Sequence, residues 1–362
     1  MHGVRRDVAA GVSLMTELTP SRTSDVRVAC FGEILLRLAA PDHELLLQSR
    51  RLQQAVAGAE ANVAVSLALF GQSVGMVTVL PDNALGSWCT GELRRYGVDT
   101  GGVRTGPGRM GLYFVERGAG HRPTRVIYDR NGSAFELSLT DHAQAVQSLP
   151  QAEWLHISGV TAGLGPAAAG ALLGVARAAH DRGIRLSFDC NYRESLWKRW
   201  HGDAGEVFRQ IAPWCELLFA GPRDFALMFG GEQPPGEADG AGDFASGALT
   251  ALSRFERLRL VATTVHEQCG AEQLTISGLM MSRDGMCATR TYPLGQVVER
   301  IGNGDAFAAG VLHAVLCGHD AQRAVEFGAA AACLKHSHAG DANLATAADI
   351  ERLIRGETTM CR

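Results

Sequence analysis

A chain of 362 residues, 46 % of them hydrophobic, can bury a full core as one large α/β domain or as one with a small appendage. Its 34 basic and 38 acidic residues leave a formal net charge of -4, with no basic surplus to hold a polyphosphate backbone, which speaks against nucleic acid as a partner. No run of about 18 apolar residues predicts a membrane span, and the nine cysteines are scattered without a Cys-x-x-Cys pair or metal-ligand spacing, the pattern of buried free thiols in a reducing compartment.

Residues 1–25 carry Arg5 and Arg6, but no apolar run follows, so a flexible extension and a cytoplasmic protein are expected. From residue 26 onward, short β-branched apolar runs alternate with amphipathic stretches. "VRVACFGEI" (26–34) predicts the first strand, "AEANVAVSLALFG" (59–71) a helix and "VGMVTVL" (74–80) the next strand. "EWLHIS" (153–158), "IRLSFDC" (184–190), "ELLFA" (216–220) and "LRLVATT" (258–264) predict four more strands. Helices are expected at 165–183, 205–213 and 304–318, several ending at a glycine suited to a helix C-cap. Two segments, 35–58 and 110–130, interrupt the alternation and read as extended pieces joined by polar turns, a small β-flap beside the main sheet. Residues 231–243, rich in Gly, Pro and acids, predict a surface loop, and 356–362 a C-terminal tail. The whole pattern is that of a mainly parallel central sheet covered on both faces by helices.

Near the end of the chain, "ERIGNGDAFAAG" (299–310) places Gly302, Asn303, Gly304 and Asp305 at the mouth of a predicted helix. The first N–H groups of a helix lack internal partners and, with the helix dipole, make an anion site. Glycines let the backbone approach a ligand, and an aspartate beside the anion could take a proton from an attacking hydroxyl. That combination points to phosphoryl transfer onto an alcohol. A glycine turn with Asp305 as an ordinary N-terminal cap explains the stretch equally well when it is taken alone.

The stretch resembles the Gly-Ala-Gly-Asp signature of the ribokinase-like, or PfkB-type, carbohydrate kinases. A second signature of that family, Gly-Gly-x-x-x-Asn opening the helix after the flap, is matched by "AGAEANVAV", with Gly58 and Asn62 kept and Ala57 in place of the first glycine. The resemblance covers residues 26–355 and implies a single three-layer α/β/α domain with a β-sheet lid. It also implies ATP and Mg²⁺ as cofactors. Within the family, "FGEILLRL" (31–38), "FDCNYRESLW" (188–197) and "LKHSHAGDAN" (334–343) are similar to segments of kinases acting on 2-keto-3-deoxygluconate, a sugar acid. The implied reaction is phosphorylation of its 6-hydroxyl. A related small sugar (the galactonate epimer or fructose) and a catalytically weak sugar-acid sensor stay open as alternatives.

Residue by residue, the resemblance makes Asp305 the base, with Gly302, Asn303 and Gly304 as the anion hole. Arg130 and Arg193 would hold the substrate carboxylate, for which a guanidinium fork is well shaped. Tyr113 and Tyr128 on the flap would supply hydroxyls, and Gly58 and Asn62 would complete the sugar side. The nucleotide side would comprise Gly221, Asp224, Thr264, Gly302 and Gly304. Three departures stand out: Gly221 and Asp224 where the family has Asn and Glu, His266 where related kinases have Arg, and Glu299 where the family has Asp, the last bearing on a monovalent cation (K⁺) site. No protein metal ligand is predicted, since His336 and His338 lie two residues apart without a partnering carboxylate. The expected partners are a small sugar acid and a nucleotide, with a homo-oligomer formed through the lid.

Overall fold

The computed structural model describes residues 26–119, 121–230, 241–269 and 273–357. The predicted extension (1–25), residues 231–240 of the predicted loop and 358–362 of the predicted tail lie outside the described residues. Residues 241–243, expected in that loop, instead form the first turn of the helix Ala241–Arg254.

All six predicted strands form and lie parallel, in the order Leu260–Cys269, Cys215–Phe219, Arg185–Asp189, Ala152–Ser158, Val26–Phe31 and Val74–Pro81. Val103–Gly106 adds a parallel edge strand. At the opposite edge Gln273–Ser282 runs antiparallel to Leu260–Cys269 and carries Gly285–Ala288 and Tyr292–Leu294. This antiparallel end lies beyond the six predicted strands.

Strand residues alternate between two cores, as a sheet buried on both faces requires. Ala29 and Phe31 pack on one side with the helices Pro166–Asp181, Ala204–Ile211 and Ala241–Arg254. Val28 and Cys30 pack on the other with Ala59–Leu69, Asn303–Leu316 and Ala321–Lys335. The last two helices meet through small residues: a Cβ added to Gly310 would stand 2.8 Å from the Gly328 Cα. Gly310→Ala therefore forces the pair apart and is expected to cost about 1–3 kcal/mol, read from the urea unfolding midpoint. An unchanged midpoint would mean that the pair tolerates separation.

The predicted flap is a separate four-stranded sheet in the order Gln53–Ala57, Leu35–Ala39, Gly111–Glu116, Arg125–Asp129. Its inner face buries Leu35, Ala39, Ala57, Tyr113 and Val115, against which Ile301 of the main domain packs. The lid thus rests on the segment that leads into the Gly302 turn.

Candidate active site

Between lid and main sheet lies a cavity of about 550 Å³. Glu33, Val160, Asp189 and Gly221, each at or just past the carboxyl end of a parallel strand, line its floor, the usual place for a ligand in an open α/β sheet. The residues expected to bind substrate or nucleotide, Gly58, Asn62, Tyr113, Tyr128, Arg130, Arg193, Gly221, Asp224, Thr264 and Gly302 to Asp305, also line this cavity, whereas His266 and Glu299 do not.

The helix Asn303–Leu316 starts from Gly302, whose φ of 86° is left-handed and whose missing Cβ leaves room for the Asp341 carbonyl. Any side chain here would break that contact. Gly304 is exposed, and a Cβ there would meet nothing within 4 Å, so its openness serves the cavity and not the fold. Asn303 is tied to His266, its Nδ2 lying 2.9 Å from the ring Nε2. Histidine at 266 thereby keeps a polar contact to the Gly302 turn.

Asn62 points its Nδ2 at Asp305 Oδ2, 2.7 Å away, so it orients the aspartate. It reaches that position because Gly58, at φ 138° and tight against the Glu33 carbonyl, starts the helix Ala59–Leu69 under the lid. The two signature motifs, 243 residues apart, meet in this one hydrogen bond.

The two arginines differ. Arg130 is 3 % exposed and gives its Nε to Glu33 Oε2 at 2.6 Å, with Nη2 on the same oxygen at 2.5 Å. Its charge is already matched inside the protein. Arg193 is exposed, and its Nη1 donates to the Tyr192 carbonyl at 3.3 Å, with no ion pair to a carboxylate among the described residues. Asn191, in a left-handed turn at φ 39° and donating its N–H to Asp189 Oδ1, aims the segment. Trp197, 2 % exposed and packed on Trp200 with ring centroids 5.3 Å apart, anchors its far end. Tyr113, expected to touch substrate, buries its hydroxyl against Asp341 Oδ2.

The pfkB family carbohydrate kinase profile matches residues 25–348. The chain belongs to the pfkB family of carbohydrate kinases. It is 32 % identical over 330 residues to the 2-dehydro-3-deoxygalactonokinase of Haloferax volcanii, covering 90 % of this chain and 96 % of that one. The crystal structure of the 2-dehydro-3-deoxygluconokinase of Thermotoga maritima superposes with a TM-score of 0.82 at 34 % identity, covering 91 % of this chain and all of that one. A more distant fold neighbour, a candidate ribokinase II of Escherichia coli, was solved with ATP and Mg²⁺, at 17 % identity, a TM-score of 0.73, and coverage of 91 % of this chain and 99 % of that one. The protein is a sugar kinase, a phosphotransferase with an alcohol group as acceptor.

Three acids of this cavity have raised pKa values, and two of them, Asp189 and Glu60, were not singled out from the sequence. Burial pushes the Asp305 carboxyl up to about 6, against the pull of the Asn62 hydrogen bond and of Arg193. Asp189 rises to about 7 through burial and the nearby charges of Asp305 and Asp224. Glu60, 1 % exposed and accepting a hydrogen bond from Thr161 Oγ1 at 3.0 Å, is pushed up to about 8, again mainly by burial. Its signal in the sequence was an acid inside the second signature, "GAEAN".

A carboxyl whose folded pKa is raised holds a proton that the unfolded chain releases, so stability falls as pH rises toward the folded value. Buried His156 and His336 and half-buried His313, lowered by desolvation to about 4, act in the opposite sense, but only below their ordinary value of 6.5. Between pH 6.5 and 8 the carboxyls dominate. The Tm of the ligand-free kinase is expected to fall across that window, and Glu60→Gln to flatten the slope. A Tm that climbs from pH 6.5 to 8 would show that Glu60 is ionised in the fold.

Proposed function

We propose that this kinase transfers the γ-phosphoryl group of ATP to the terminal 6-hydroxyl of a 2-keto-3-deoxy sugar acid, 2-keto-3-deoxygluconate in the first place. The observation that carries the reading is Arg193, a guanidinium on the wall of the Asp305 cavity whose hydrogen bond goes to a backbone carbonyl and not to an acid. A neutral sugar offers that guanidinium no ion-pair partner, whereas a sugar acid meets it with a carboxylate. The activities for which the Haloferax and Thermotoga relatives are named support the same substrate class and include both epimers.

Asp305 accepts the hydroxyl proton, held in line by Asn62. The freed oxygen forms a bond to the γ-phosphorus, the bond to the β–γ bridging oxygen breaks, and ADP leaves. The start of the helix Asn303–Leu316, with its dipole, stabilises the negative charge gathered on the transferred group. Thr264, Gly221 and Asp224 line the cavity beside this turn, where the nucleotide would lie. Among the described residues no group of three or more His, Cys, Asp or Glu could hold a metal ion. Asp189 and Asp224 therefore suit a Mg²⁺ bound mainly through phosphates and water, which would neutralise phosphate charge during transfer.

Two further features fit this reading. The lid leaves Ile127 56 % exposed, an apolar surface through which a second copy could pair. Cys30, Cys89, Cys190, Cys215, Cys287, Cys317 and Cys333 are free, which suits a cytoplasmic enzyme. No helix among the described residues is long and apolar enough to cross a membrane. Phosphorus NMR of a reaction with carbon-labelled substrate tests the site of transfer. A phosphomonoester coupled to the terminal carbon is expected, and a phosphate on any other carbon would contradict the assignment.

A further inference from the structure

Beneath the Gly302 turn lies a charge cluster that phosphoryl transfer does not touch. Arg37, 2 % exposed, spans Asp341 Oδ1 at 2.5 Å and Glu299 Oε2, both acids being buried. Lys335 is fully buried in the same place and gives its ammonium to the His338 carbonyl at 3.3 Å. Charges of Glu299 and Asp341 hold it cationic against burial, which lowers its pKa to about 8.

The family resemblance raises the expectation of a monovalent cation near Glu299, and such an ion needs oxygens free to coordinate it. Here all four carboxylate oxygens already accept from the protein. Glu299 Oε1 takes the N–H groups of Arg300 and Ile301 at 3.0 and 3.3 Å, and Oε2 takes Arg37 with Arg117 3.5 Å away. Asp341 Oδ1 takes Arg37, and Oδ2 takes the Tyr113 hydroxyl. Carbonyls of the same loop are engaged too: His336 O by the Val298 N–H at 2.8 Å, His338 O by Lys335. Two buried acids face two buried cations, so another positive ion would add charge without compensation. The residues present do not fit K⁺.

We propose that Lys335, together with Arg37, is a built-in counter-cation that holds the 298–302 and 336–343 segments in working shape under the anion-binding helix start, so that turnover is independent of monovalent cations. The link is mechanical: the Asp341 carbonyl occupies the space that a Cβ on Gly302, the first residue of the anion turn, would fill, while the Asp341 side chain is fixed by Arg37 and Tyr113. Lys335 is a positioning residue in this scheme, acting through Asp341 and Glu299 and touching no reacting atom.

The first arm of the test compares the parent protein in chloride salts of K⁺ and of tetramethylammonium, an ion too large for a coordination site. Melting is expected to be the same in both salts, whereas a specific site filled at about 100 mM K⁺ would raise Tm by a few degrees. Turnover is expected to agree within about twofold, and activation by K⁺ beyond about fivefold would overturn the proposal. The turnover comparison rests on the proposed kinase activity, but the melting comparison does not. A protein silent toward every sugar acid would sink the substrate assignment and still leave the cation question decided by Tm.

The second arm is Lys335→Ala. Its kcat is expected to drop on the order of 10-fold or more in tetramethylammonium, with the KM for the sugar acid little changed, and ammonium ions entering the vacated space are expected to restore part of it. Full turnover without any cation, or a loss that ammonium leaves untouched, would remove the lysine from this role. Should the variant fail to fold, the parent comparison alone decides.

Discussion

Asp305→Asn is expected to lower kcat by a factor on the order of 10³ while leaving the KM of both substrates within a few-fold. The loss is confined to chemistry because the substitution keeps the local geometry. Asn62 donates to Asp305 Oδ2 at 2.7 Å, and an asparagine carbonyl oxygen accepts the same bond. What disappears is the ability to take the hydroxyl proton. In the parent, kcat/KM should rise with pH through about 6, where the buried Asp305 carboxyl ionises, and then level off. That limb should be missing from the residual activity of the variant. An Asn variant retaining more than about a tenth of the parent kcat would show that transfer proceeds without this base and would leave Asp305 as a first-turn helix residue tied to Asn62.

The second large effect is expected of Arg193→Ala, which should raise the KM for a sugar acid on the order of 10- to 100-fold and hardly alter turnover of a neutral sugar. In the ligand-free fold the guanidinium is exposed, so its loss should cost little stability. The charge also has a second reach: it lowers the pKa of Asp305 and Asp189. Removing it should therefore shift the acid limb of the pH profile upward, a readout that a merely structural arginine would not give. Arg193→Lys should recover only part of the affinity, since an ammonium lacks the planar fork. An unchanged KM for the acid in the Ala variant would leave the carboxylate without its clamp, because Arg130 is already matched by Glu33.

Much of this site was legible in the sequence because it is built from local motifs at strand and helix ends. "GAEAN" and "IGNGD" each specify a glycine-started helix, and a glycine with positive φ leaves a trace that any reader of the chain can find. The six central strands were equally plain, as β-branched runs buried on both faces. The antiparallel edge was missed although it carries local signals: "QLTIS" alternates polar and apolar residues, and Ser282 pairs with Gly285 across the two-residue turn Arg283–Asp284.

Charge partnerships were the least accessible. Arg130 and Glu33 are 97 residues apart, and Arg37 and Asp341 are 304 apart. A motif can say that an arginine is present, but only the fold says whether an acid already holds it. The same limit hid the raised pKa of Glu60, which arises mainly from burial, and burial is a property of the packed protein. Nothing in the sequence marks Lys335 as a buried charge. Its complete burial beside Glu299 and Asp341 comes from the loop that folds back over the Gly302 turn.

The most direct measurement is ADP release from Mg-ATP by the purified protein, with 2-keto-3-deoxygluconate, its galactonate epimer and fructose offered separately under the same conditions. Turnover with one or both sugar acids and none with fructose is the expected result. Turnover with fructose and none with either acid would contradict the carboxylate clamp and the substrate class proposed with it.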